Sequence, residues 1–250
     1  MNSRRFIAAL IVVATIVLLA YTVLIPKASA WPKQLKVISQ TRGDEVLTAE
    51  ILNNHVRIRL KNKHTDTITA FAIRVTDTTI REDFAYSDVH FGIEPGDTFQ
   101  TDYSISHSPP GSEPPTVYLL TVLLKDGARD GDSQIAQQIE DVRLGNKIQI
   151  LRTLRVLEKE APSGKDLKII KSNIVAALNA GESETRNILN ELQPNSRLDR
   201  KLSDDLKNGL HWGREKMLRR FEVLEQLPPE SLEPALVELI DRSRKLFAKL

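Results

Sequence analysis

Twenty apolar residues in a row constrain this chain more than anything else in it. The run begins at Phe6 and ends at Ile25, with no charge inside and Thr15 and Thr22 as its hydroxylic members. As a helix rising about 1.5 Å per residue, it is long enough to cross a hydrocarbon layer of about 30 Å. Arg4 and Arg5 precede it, and Pro26-Lys27-Ala28-Ser29-Ala30 follows. Two readings compete. A cleaved export signal has a basic start, a short apolar stretch and a small-x-small site, which Ala28-Ser29-Ala30 supplies, with cleavage after Ala30. An uncleaved anchor fits the length of the run better; Tyr21 suits the interface, and Pro26 ends the helix. Both readings keep Arg4 and Arg5 on the cytoplasmic side and put the bulk of the chain outside. A core helix of this length would carry a polar stripe, which is lacking here. The expectation is a single-pass membrane protein, secreted or periplasmic if cut.

The chain has 250 residues, of which 220 follow Ala30, enough for one large or two ordinary domains. Zero cysteines exclude disulfides, thiolate metal sites, iron–sulfur clusters and thiol catalysis. The formal net charge of +2 hides an uneven distribution. Residues 31–131 carry 11 basic and 14 acidic side chains, and residues 132–250 carry 21 and 19. The densest basic group is Arg214, Lys216, Arg219 and Arg220, and Glu215, Glu222 and Glu225 interrupt it. That mixture is a solvated helix face rather than a nucleic-acid footprint.

The apolar period changes near residue 132. Before it the period is two: Leu47, Ala49 and Ile51 alternate with polar residues, as do Val56, Ile58 and Leu60. Asn53-Asn54 separates these runs and predicts a hairpin. Residues 67–76 are apolar on both faces, and residues 117–124 are the most apolar run beyond the first segment. Glu94-Pro95-Gly96-Asp97 reads as a turn before the alternation of Phe99, Thr101, Tyr103 and Ile105. Weaker strands are expected at 35–40, 79–84 and 90–93. This spacing predicts an immunoglobulin-like antiparallel β-sandwich over residues 31–131.

Residues 132–250 then predict an α-helical bundle, making an α+β chain of two domains behind a transmembrane helix at 1–30. Asp132 or Ser133 caps the first helix, which Gly145 weakens or bends. Ala161-Pro162-Ser163-Gly164 breaks it, Gly181 closes the next helix, Pro194-Asn195 stops a short one, Pro228-Pro229 ends a long one, and Ser231 caps the last.

Candidate sites are sparse. Asp126, Asp130 and Asp132 fall within seven residues among glycines, and could offer hard oxygen ligands to Ca²⁺. The spacing is not that of an EF-hand, and Asp-Gly turn chemistry and helix capping explain the same residues. The five histidines form no His-x-His or His-x-x-x-His pair. No Gly-x-Ser-x-Gly and no phosphate-cradling glycine loop occurs. The loop at 106–116 holds Pro109-Pro110 and Pro114-Pro115 and is stiff. Gly209 and Gly213 flank Trp212 in a helical stretch: the glycines admit a close backbone, and the indole is a possible interface anchor or a core-packed kink residue.

The expected function is therefore non-enzymatic: a binding or assembly module with no cofactor, held at the membrane and meeting a protein partner in the cell envelope. The alternative is an exported enzyme or metal-dependent domain whose site forms only on folding. Capping makes a direct prediction. Asp132→Ala lowers stability by about 1 kcal/mol, and thermal melts give the same loss with and without Ca²⁺.

Overall fold

The computed structural model describes residues 34–43, 45–52, 55–76, 81–86, 91–104, 113–194 and 202–249. The segment from Phe6 to Ile25, the Asn53-Asn54 turn, His90, Ile105 and His107 lie outside the described residues. The architecture is α+β, with eight strands in two sheets and five α-helices among the described residues.

One sheet comprises β2 (Glu45–Leu52), β3 (His55–Asn62) and β6 (Thr98–Ser104), in the order β2-β3-β6 and antiparallel throughout. The Leu52–His55 pairing makes β2 and β3 the expected hairpin. The other sheet has the order β1-β7-β4-β5, from β1 (Lys36–Ser39), β7 (Thr116–Leu124), β4 (Ile68–Thr76) and β5 (Arg81–Tyr86). Strand β8 (Arg129–Gly131) pairs with Thr121, Val122 and Leu123 of β7. It returns from β7 through residues 125–128 and covers half of that strand's edge. Strand β1 takes the other half, from Thr116 to Leu119, and runs parallel. The β-rich half is thus not wholly antiparallel.

Val56, Ile58 and Leu60 of one sheet share a core with Phe71, Ile73, Val75, Val117, Leu119 and Val122 of the other. Phe71 stacks on Tyr86 at 4.8 Å between ring centroids, and Phe91 and Phe99 close around it at 5.4 Å. Asn62, fully buried, ties two loops to this core. Its Nδ2 donates to the carbonyls of Asp66 and Ile93, and its Oδ1 accepts from the His64 amide. The Glu94 carbonyl accepts from the Asp97 amide at 3.0 Å, and Gly96 has φ 87°, closing the expected turn.

Strands β4 and β7 are buried on both faces, as their composition requires. Register shifts explain how. Leu120 has no partner between the pairs Ala72–Thr121 and Ile73–Leu119, and Thr69 has none between Ile68–Leu124 and Ala70–Leu123. Each extra residue reverses the side-chain phase. Ala70, Ala72, Leu120 and Leu123 thereby form a second face, onto which Ala136 and Ile139 pack.

Those two residues belong to α1 (Ser133–Glu160). Asp132 caps it, accepting from the amides of Gln134 and Ile135. Gly145, expected to weaken or bend the helix, does not interrupt it; α1 runs through it for 28 residues. The reason is α4 (Asp204–Leu224), which crosses at backbone contact. A methyl at Gly145 would lie 2.4 Å from the Leu206 carbonyl oxygen, and one at Gly209 would lie 2.2 Å from that of Val142. The helix α4 is equally unbroken.

A 3₁₀ turn (Ala161–Ser163) and Gly164, at φ 65°, separate α1 from α2 (Leu167–Leu178), which Asp166 caps. Gly181 does not close α2, which ends at Asn179. It stands instead at the N-terminus of α3 (Glu182–Leu192). Pro229 opens α5 (Pro229–Lys249), so Ser231 lies within its first turn rather than capping it. Ile150, Leu154, Leu157, Ile174, Phe221 and Leu246 are among the residues closing the helical core.

The α1–α4 crossing sets a test. Alanine favours a helix over glycine by about 1 kcal/mol, yet Gly209→Ala must push two backbones apart and costs about 1–3 kcal/mol net. Urea denaturation reads this as a lower midpoint with an unchanged slope.

Candidate functional site

The residues singled out from the sequence are spread over the molecule. Asp126 accepts from the Ala128 amide, Asp130 from the Arg42 amide at 2.8 Å, and Asp132 caps α1. Each carboxylate thus serves a different backbone segment. Among the described residues no three His, Asp or Glu side chains are placed to hold a metal. Gly209 and Gly213 lie against α1, the second with Gln149 and Asn146 about it. Trp212 points elsewhere. It is 54% exposed and overlooks a groove with Asp83, Phe84 and Ala85 of β5 on one side and Gln138 and Val142 of α1 on the other.

Of the histidines, His55 and His211 are exposed. His64, by contrast, is largely covered. Its Nε2 lies 2.6 Å from Glu45 Oε2, and the Glu45 side chain is 1% exposed. Thr41 Oγ1 donates to the other Glu45 oxygen and lies 2.6 Å from Ser39 Oγ. A methyl at Gly43 would lie 2.3 Å from His64 Cε1, so the preceding loop covers the imidazole. The carboxylate sits between hydroxyl and imidazole, an order that activates neither as a nucleophile. The group is a clasp between β2, the loop before it and the loop after β3.

An opening that combines apolar walls with charge lies between α4 and α5. This groove of about 640 Å³ is walled by Val223, Leu224, Leu227, Ala235, Leu239 and Leu246. Arg220, Arg242 and Lys245 rim it against one carboxylate, Glu238, which Arg242 holds at 2.5 Å. Val223 on its lip is 61% exposed, and Val237 one face over is 55% exposed. Pro234 sits inside α5, past its first turn, where it has no amide to donate to the Glu230 carbonyl. Sequence reasoning missed the groove because leucines on α4 and α5 read equally well as core; Val223, one position off the core stripe, was the available signal.

No helix among the described residues is long and apolar enough to cross a membrane. Compared with protein-family models, with curated proteins and with solved structures, the chain matches none.

The clasp predicts a pH dependence. Burial pushes the Glu45 carboxyl above its ordinary value, the His64 hydrogen bond and charge oppose this, and Asp130 adds to the rise. The folded chain therefore holds this proton more tightly than the unfolded chain. Its contribution to stability is complete below the ordinary glutamate range and falls as pH rises through the raised folded value. Glu45→Gln removes that dependence, so the variant's melting temperature relative to the native chain increases between about pH 4 and pH 7.

Proposed function

We propose that this chain is a membrane-tethered, extracytoplasmic docking module that receives an apolar helical segment of a partner protein in the cell envelope. The groove between α4 and α5 carries the reading. Its apolar floor suits an amphipathic helix laid lengthwise, an established way of filling such a groove. Beside the Arg242–Glu238 pair its rim bears Lys245, which favours a helix with acidic flanks. The apolar residues from Phe6 to Ile25 supply the tether, with Arg4 and Arg5 inside and the folded body outside. The β-rich half is read as an immunoglobulin-like sandwich that holds the helical half away from the bilayer. No cofactor, metal or nucleic acid enters this role.

Two measurements test it. The full chain, expressed in a bacterial host, stays with the membrane pellet after alkaline extraction; recovery of the uncut polypeptide in the soluble fraction overturns the tether. For the groove, the probe is a labelled amphipathic peptide with leucines at i, i+3, i+4 and i+7 and glutamates at its ends. Fluorescence anisotropy gives saturable binding to the full chain in detergent. Val223→Asp weakens it about tenfold or more, and Arg242→Glu with Lys245→Glu transfers the preference to a lysine-ended peptide. Equal binding of both peptides to the native chain overturns the docking role.

A further inference from the structure

A second cleft, independent of the groove, lies where the helices meet the sheet. Its volume is about 310 Å³, within the range of small-molecule sites. Thr69, the bulge residue of β4, lines one side, with Leu123 and the turn at Lys125. Arg143 and Lys147 of α1 line the other, one turn apart and so on the same face. Bulges re-aim side chains where function needs it, and this one places the Thr69 hydroxyl 3.3 Å from Arg143 Nη1.

The charges in this cleft do not balance. Three arginines among the described residues bury an Nε that has no hydrogen-bond partner: Arg143, Arg152 and Arg214. Arg152 has Glu184 at 3.9 Å, and Arg214 has Glu215 at 3.2 Å. Arg143 has no carboxylate within ion-pair distance among the described residues, and neither has Lys147, whose Nζ lies 4.9 Å from the centre of the Phe247 ring. Glu140, the one acid on the cleft wall, is engaged by Arg129 of β8. Burial holds both Arg143 and Lys147 below their ordinary values, with Glu140 partly offsetting this for the arginine. Two half-buried cations on one face, lining a cavity whose one carboxylate is already engaged by Arg129, are costly unless an anion sits there.

We propose that this cleft binds a phosphate monoester, its dianion held by the Arg143 fork and the Lys147 ammonium, with Lys125 at the mouth and Leu123 and Leu144 against the ester's carbon portion. Arginine matches the tetrahedral oxygens by paired donors, and lysine adds a point charge. A soluble metabolite and a lipid headgroup share this chemistry.

The test uses the full chain in detergent at constant ionic strength. The probes are glycerol 3-phosphate and dihexanoyl phosphatidic acid, with succinate as a carboxylate control. Thermal unfolding shifts upward and saturates with a phosphate ester and not with succinate. A response to glycerol 3-phosphate identifies a soluble ligand, and a response to phosphatidic acid alone identifies a lipid; either supports the site. Arg143→Met and Lys147→Met each weaken the response about tenfold, while the double variant without ligand melts no lower than the native chain, because a buried unpaired charge has gone. Should the double variant fail to fold, equilibrium dialysis with radiolabelled glycerol 3-phosphate and with phosphatidic acid compares Lys147→Arg, which retains binding, with Lys147→Gln, which loses it. No saturable shift with either ester, a succinate shift as large as theirs, an undiminished shift in the double variant, or equal binding by the two Lys147 variants overturns the proposal. None of these outcomes bears on the α4–α5 groove.

Discussion

Everything in the helical half is referred to one close contact, the crossing of α1 and α4. At Gly145 and Gly209 the two backbones approach nearer than any side chain allows, and Gly213 continues the contact one turn on. The cost is the helix propensity that three glycines forgo, roughly 1 kcal/mol each. The return is position. With α4 held that close, Leu206 reaches Ile148, Ile188 and Leu189 in one core, and Phe221 reaches Leu154 and Leu157 in another. The same α1 begins on the sheet, through Ala136 and Ile139. A single rod thus carries the sheet at its start and the bundle along its length, and the crossing fixes α4, and with it the groove wall, in that frame.

This explains which parts of the fold could be read from the sequence. Periodicity reports which face of an element is covered, and it served where one sheet or helix stripe faces one core. Leu47, Ala49 and Ile51 against Val56, Ile58 and Leu60 gave the β2–β3 hairpin. Asp132 gave the helix start, because a cap is a local matter. The parallel β1–β7 pairing was not legible, since the period of a strand carries no record of the direction of its neighbour. Nor were the bulges at Thr69 and Leu120, which leave no mark in composition. Gly145 suggested a bend from its own propensity, and its meaning lay 61 residues away in Leu206. For the sites, Asp126, Asp130 and Asp132 drew notice because they are close in sequence, whereas Arg143 and Thr69, which meet, are separated by 74 positions.

Buried charge in this protein falls into two kinds. Arg152, 2% exposed, finds partners within the chain for both of its terminal nitrogens. It donates to Gln149 Oε1, to Thr185 Oγ1 at 2.8 Å and to the Ala180 carbonyl, and so locks α1 to the start of α3. Gln149 extends that lock to the Leu178 and Leu210 carbonyls. Such a network specifies one arrangement, because any other leaves several donors unpaired. Arg143 and Lys147 lie between one and three turns earlier on the same helix, and among the described residues Arg143 meets the Thr69 hydroxyl at 3.3 Å and Lys147 the Phe247 ring, with no carboxylate in ion-pair range of either. The contrast within one helix separates a structural cation from one that awaits a ligand more sharply than burial alone does.

The two openings also differ in how they hold their shape. The junction cleft is walled by the β4–β7 bulge, by α1 and by the end of α3, elements that the glycine crossing and the Arg152 network fix from both sides. An anion entering it meets donors already placed, so little ordering is lost on binding. The α4–α5 groove has one wall fixed by the glycine crossing and a second, α5, that packs chiefly on α1 and joins the helical core through Leu239 and Leu246. A partner helix laid there would replace exposed Val223 and the groove's open floor with a third packed helix. The bundle would gain by docking the closure that its own sequence leaves undone, and the driving force would be the same burial that folds the rest of the half.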